Sequence, residues 1–210
     1  MSVDITPVLS FAGMGLTFGL AGGLSPGPLT ALVVSQTVRF GLREGCTVAL
    51  APVLTDGPLI LLSALAVGGL AHLSWALAGV SFIGAIFLLW LSYETITAAP
   101  ISLTAGVEPQ SLRKSLVTNV LNPHPYLFWL TVGGPLVVEG FRAGWAPLTA
   151  FLAAFFVSIV GAKMTVAWVA ARFRSQLGGP AYRWTMGILG VAMLGFAVAF
   201  VRKGLGLLGG

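Results

Sequence analysis

The chain has 210 residues, 57% of them hydrophobic and only 8% charged, with a formal net charge of +5 and a mean hydropathy of +0.96. A soluble domain carries about 25% charged residues, so too few charges remain here to cover a globular surface, and the long apolar runs point to helices in lipid. Transmembrane strands would alternate apolar and polar over about ten residues, which excludes a barrel, and the single Cys46 excludes an internal disulfide, a CxxC redox pair and a cysteine metal cage.

Six apolar segments follow in order, near 7–38, 45–69, 74–98, 115–138, 146–171 and 184–201. Met1-Ser2-Val3-Asp4 precedes the first without a basic leader, so that segment is expected to be a retained helix and not a cleaved signal peptide. The stretch from Ala99 to Ser111, with Pro100, Gly106 and Pro109, reads as a linker. The expected organisation is a first three-helix repeat over 1–98, a cytoplasmic linker over 99–114 and a second three-helix repeat over 115–210. Arg39, Arg43, Arg113, Lys114, Arg172, Arg174 and Arg183 share one side, against Arg142, Arg202 and Lys203 on the other. The positive-inside rule puts the larger group in the cytoplasm and both termini outside. Basic residues at segment ends, not clustered on one face, argue against nucleic acid.

The first and fourth segments carry matching interruptions. One is Leu24-Ser25-Pro26-Gly27-Pro28-Leu29, the other Leu121-Asn122-Pro123-His124-Pro125-Tyr126. Proline removes an amide donor and clashes with the carbonyl four residues back, so two prolines spaced by one should break a helix. Ser25 and Asn122 are good N-cap types and proline favours the first helical position. Each motif therefore predicts the end of one half-helix and the capped start of another, with free amides and a partial positive charge aimed at an anion. At about 1.5 Å per residue, Pro26 and Pro123 lie roughly 20 and 14 Å from the basic residues that follow or precede them, near the middle of a core of about 30 Å. Three helices per half make the second copy enter from the other side, an inverted repeat of the kind found in secondary transporters. The expected fold is thus an all-α integral membrane protein of six helices in two inverted halves, with helices 1 and 4 broken. The same motifs as mere packing kinks are the bland alternative.

Three ionisable residues share that depth: Asp56 in the second segment, His124 in the second motif and Lys163 in the fifth segment. A charge at mid-membrane costs about 2.5–3.5 kcal/mol on insertion scales, so it faces a partner or a cavity. Asp56 and Lys163 either form a structural ion pair or serve as a proton or ion coupling site, and the two readings are compatible. The expected substrate site comprises Ser25, Pro26, Gly27, Pro28, Asn122, Pro123, His124 and Pro125. Glu94 and Glu139 are expected at the interface. The glycines 13, 15, 19, 22 and 23, with 187 and 190, are expected as helix-packing faces, and Trp75, Trp145 and Trp184 as an interfacial belt.

Pro26-Gly27-Pro28, then Gly41 and Gly45, then Asp56 resemble the first-half signature of the LysE/RhtB amino-acid exporter family. Asn122-Pro123-x-Pro125-Tyr126-Leu127-Phe128-Trp129 resembles its second-half signature. Ala51 and Thr55 stand where the family often has glycines, and His124 where it often has lysine, so substrate identity is not carried over. The resemblance implies efflux of an amino acid or similar small metabolite across a bacterial or archaeal inner membrane, driven by the proton gradient or the membrane potential. The expected partners are that small molecule and the lipid bilayer, with a homo-oligomer compatible, and no cofactor or metal is expected. An aquaporin-like channel is the alternative from paired half-helices, but neither motif is NPA. A cation or metal exporter has little soft-ligand support in one Cys and two His. A membrane enzyme ranks last, since no catalytic signature stands out.

Overall fold

The computed structural model describes residues 5–66, 74–97, 109–174 and 179–209. All regular structure among them is helical. The elements are α1 (Thr6–Leu24), α2 (Pro28–Phe40), α3 (Leu42–Ala49), α4 (Ala51–Ala66), α5 (Ser74–Ile96), α6 (Ser111–Val120), α7 (Pro123–Phe128), a π-turn (Trp129–Gly133), α8 (Gly134–Ala143), α9 (Trp145–Arg174) and α10 (Gly179–Gly209). Of the expected linker, residues 99–108 lie outside the described residues, and α6 begins at Ser111.

Four stretches among the described residues are long and apolar enough to cross a membrane: Thr6–Leu24, Leu42–Leu65, Trp145–Phe173 and Pro180–Leu208. Ser81–Ile96 within α5 is a shorter apolar helix. The expected first span is split between α1 and α2. The expected fourth is cut into α6, α7, the π-turn and α8, because prolines interrupt both.

The turns follow from local chemistry. Ser25 has ψ 129° and Gly27 is fully extended, as residues ahead of proline must be. Pro28 then takes the first position of α2, and the Ala31 amide donates to the Gly27 carbonyl at 2.9 Å. Gly41 (φ 105°) ends α2 and Gly144 (φ 124°) precedes α9; both need glycine, since a Cβ is strained in that region.

Packing ranks the helices. Ten of the 13 residues of α2 are buried, and it touches α3, α6, α9 and α10. In contrast α1 buries only Phe11, Gly15, Gly19 and Gly23 of its 19 residues, all on one stripe laid along α9. A Cβ on Gly15 would meet the Phe151 carbonyl, one on Gly19 the Phe155 carbonyl and the Ser158 hydroxyl, and one on Gly23 the Ala162 methyl. Close backbone approach is what holds helices together in lipid, where apolar burial drives nothing. Gly190 likewise receives Ile96, whereas Gly13 and Gly187 face open space. Elsewhere α5 runs along α10, and α4 lies against α6 and α8.

Gly19→Leu is expected to prevent α1 from docking on α9. Overpacking ordinarily costs about 1–3 kcal/mol, and here the obstacle is backbone that cannot rotate away. Size-exclusion elution from detergent should lose its monodisperse peak, while Gly13→Leu should elute as the parent does. Equal behaviour of the two would refute the glycine stripe.

Candidate substrate site

Both helix breaks open on one cavity of about 380 Å³. Ser25, Pro26, Gly27 and Pro28 line it from the first break, Asn122, His124 and Pro125 from the second, Asp56 from α4 and Lys163 from α9. Pro123 is buried at the first position of α7. His124 is exposed at the edge and faces the Phe200 ring, with centroids 6.2 Å apart.

The two breaks are capped differently. Asn122 Oδ1 accepts the His124 amide at 3.1 Å, so Asn122 caps α7 as expected. Ser25 does not cap α2. It ends α1, its amide donating to the Ala21 carbonyl at 3.0 Å, and the N-cap of α2 is Gly27 with no side-chain bond. The reason is which proline takes the first helical position. In the second motif it is Pro123, adjacent to Asn122; in the first it is Pro28, which leaves Ser25 too far back to reach the free amides. The Thr30 hydroxyl donates to the Ser25 carbonyl at 2.9 Å instead.

Asp56 is buried among donors from three elements. Asn119 Nδ2 of α6 donates to Oδ1 at 3.0 Å, and the Trp129 indole N–H at the start of the π-turn donates to Oδ2 at 3.0 Å. The Thr55 hydroxyl, also bonded to the Ala51 carbonyl, lies 3.2 Å from Oδ1, and Asn119 Nδ2 donates to Thr55 Oγ1 at 2.6 Å. Trp129 is wholly buried, and Gly133 and Gly134 leave the space its ring and carbonyl occupy. Single π-turns of this kind recur at functional sites.

Lys163 is held separately. Its Nζ donates to Thr30 Oγ1 at 3.1 Å and to the Gly23 carbonyl, in the last turn of α1, at 3.4 Å. Asp56 and Lys163 therefore do not form the ion pair that their shared depth allows. Among the described residues the ion pairs are Arg39–Glu94 at 3.1 Å and Lys114–Glu94 at 2.5 Å. No cluster of three metal-ligating side chains occurs among the described residues.

Sequence reasoning missed Asn119, Trp129 and Thr30, and it did not foresee that Glu94 joins α2, α5 and α6. The available signals were polar residues inside apolar segments: Asn119 one turn before the Asn122 break, and Thr30 two residues after Pro28.

Comparison with known proteins decides the family. A family model described as LysE type translocator matches residues 20–204. The chain belongs to the LysE-type translocator family. As a LysE-type translocator it is a multi-pass membrane transport protein and not an enzyme. It is similar to proteins named "Arginine exporter protein ArgO": 33% identical to that of Salmonella schwarzengrund (strain CVM19633), over 94% of this chain and 96% of the relative. It is 32% identical to those of Salmonella typhi and Enterobacter sp. (strain 638), with the same coverage. No solved structure matches this LysE-type chain.

Proposed function

We propose that this chain is a secondary exporter of an amino acid or similar small carboxylate-bearing metabolite, working by alternating access and coupled to the proton gradient or the membrane potential. The observation that carries this reading is the convergence of both helix breaks, Asp56 and Lys163 on one cavity. The amides of the first turn of α2 have no helical acceptors, and Lys163 adds a formal positive charge beside them. That combination suits a carboxylate. Asp56 suits an ammonium group or a transported proton. Relatives named as arginine exporters point to the same class of cargo.

Several features support two inverted halves, 1–98 and 115–210. Gly41 and Gly144 adopt the same positive-φ turn, each directly after the broken span of its half. The packing has counterparts in the two halves: α1 lies on α9 as α6 lies on α3 and α4, α2 lies on α9 as α8 lies on α4, and α5 pairs with α10. Exchange of the two halves maps each of these contacts onto its counterpart, and the α5–α10 pair onto itself. With both termini outside, the Arg39–Glu94–Lys114 network would close the cytoplasmic side of the cavity. A simple pore is disfavoured, since two fixed charges would stand in it.

The test is counterflow of labelled amino acids into proteoliposomes, with and without an imposed pH gradient or potential. Saturable exchange that a gradient drives uphill is the expected result. Flux that neither saturates nor responds to a gradient would assign a channel and overturn the exporter.

A further inference from the structure

We infer that the cargo is a zwitterionic amino acid with an uncharged, apolar side chain, seated with its carboxylate toward Lys163 and the start of α2, its ammonium toward Asp56 and its side chain among aromatic rings. The inference rests on the exporter reading and narrows it.

The first ground is charge. The residues lining the cavity include one carboxylate, Asp56, and one ammonium, Lys163. A zwitterion has one group for each. A basic side chain brings a third charge, and among the described residues no second carboxylate lines the cavity to receive it. It would also share about 380 Å³ with the Lys163 ammonium. An acidic side chain meets the converse difficulty beside Asp56. Ionised groups taken out of water need a partner.

The second ground is what each charge has left to offer. Lys163 carries three N–H donors, and its two partners are neutral oxygens at 3.1 and 3.4 Å. One donor and the whole charge remain for a carboxylate. Asp56 Oδ1 is shared by Asn119 and Thr55, but Oδ2 accepts the Trp129 N–H alone and keeps a second lone pair. One further donor fits there.

The third ground is an apolar stretch of the wall, apart from the polar Ser25, Asn119, Asn122 and His124 that line it elsewhere. Phe128 stacks on Phe155 with centroids 5.3 Å apart and an angle of 7°, and Phe18 lies 5.8 Å from Phe128. Ile159 continues this wall along α9. None of these side chains has a hydrogen-bonding atom. A cavity near the lower end of the usual range for small-molecule sites takes one amino acid and little solvent, so a polar side chain directed there would lose its hydration. A guanidinium stacked on the rings is the competing arrangement.

Counterflow with leucine, phenylalanine, arginine, lysine and glutamate separates these cases. Leucine and phenylalanine should exchange, and arginine, lysine and glutamate should be slower by at least about tenfold, the factor of a modest uncompensated charge contact. Lys163→Gln, checked for normal elution, should raise the half-saturating leucine concentration by at least about tenfold, the loss of one charge-assisted contact. Arginine exchange equal to or faster than that of leucine would overturn the inference while leaving the exporter standing. So would tighter arginine binding in Lys163→Gln without loss of leucine affinity. Exchange of no amino acid at all would remove the exporter reading, and this inference with it.

Discussion

Asp56→Asn should reduce export by at least about 100-fold, equivalent to about 2.7 kcal/mol of lost transition-state stabilisation, while leaving membrane insertion intact. Two N–H donors converge on this carboxylate, the Asn119 amide and the Trp129 indole, and the Thr55 hydroxyl, whose single proton also has the Ala51 carbonyl within reach, lies beside Oδ1. A carboxylate accepts from the amide and the indole at once. An amide has one acceptor oxygen and presents an NH₂ group on the other side, which must face either the indole N–H or the Asn119 amide. A buried donor left unsatisfied costs about 1–3 kcal/mol. That penalty is tolerable in a protein held together elsewhere, so the chain should still fold. The functional loss has another origin: the substitution removes the one carboxylate that lines the cavity among the described residues, and with it a group able to bind an ammonium or carry a proton. The measurement is efflux from whole cells alongside the amount of protein in the membrane fraction. Normal efflux by Asp56→Asn would take Asp56 out of the mechanism.

Glu94→Gln should destabilise the protein by about 3 kcal/mol, in the range for breaking a buried ion pair. Glu94 of α5 holds Arg39 of α2 and Lys114 of α6 together, and both cations are at least nine-tenths buried. Without the carboxylate, two like charges face each other and lose the counter-ion they share. The Glu94 side chain is itself a quarter exposed, so water relieves part of the repulsion and the loss falls at the low end of that range. The apparent Tm in detergent should fall clearly. The double variant Glu94→Gln with Lys114→Gln should recover at least half of the loss, because it removes one of the two like charges that repel each other. A Tm unchanged by Glu94→Gln would show that the network is ornamental.

The parts of this molecule that were legible in the sequence are those dictated by one residue acting on its own backbone. Paired prolines announced both breaks, and Asn122 announced its cap. Asp56 and Lys163 stood out because an ion in an apolar run needs a reason to be there. The misreadings have a common cause in geometry that one segment cannot reveal. Ser25 looked equivalent to Asn122, but which of two prolines opens the helix depends on the packing around the break. Asp56 and Lys163 share a depth, yet depth says nothing about the angle at which a side chain leaves its helix, and each found separate partners. Trp129 was visible within the second motif. Its role was not, because the π-turn shifts the register of the residues that follow and only the folded chain shows where the indole N–H then points. Part of the difference in segment count has the same origin: the broken fourth span contains no single helix long enough to cross, whereas the broken first still holds Thr6–Leu24.

The placement of Lys163 bears on how the chain is made. Its ammonium is the partner that reaches Thr30 and the Gly23 carbonyl at the first break, and the helix that carries it is the one on which α1 lies. Ribosomal synthesis delivers α1 and α2 long before α9. Until then the interrupted backbone near Ser25 waits in a solvent that offers it no hydrogen bonds. Its completion is a distant, late-arriving contact, of the sort that slows folding. The amino-terminal half is therefore not a finished module to which a second is added. Its first break is expected to gain the Lys163 contact only when the fifth segment arrives.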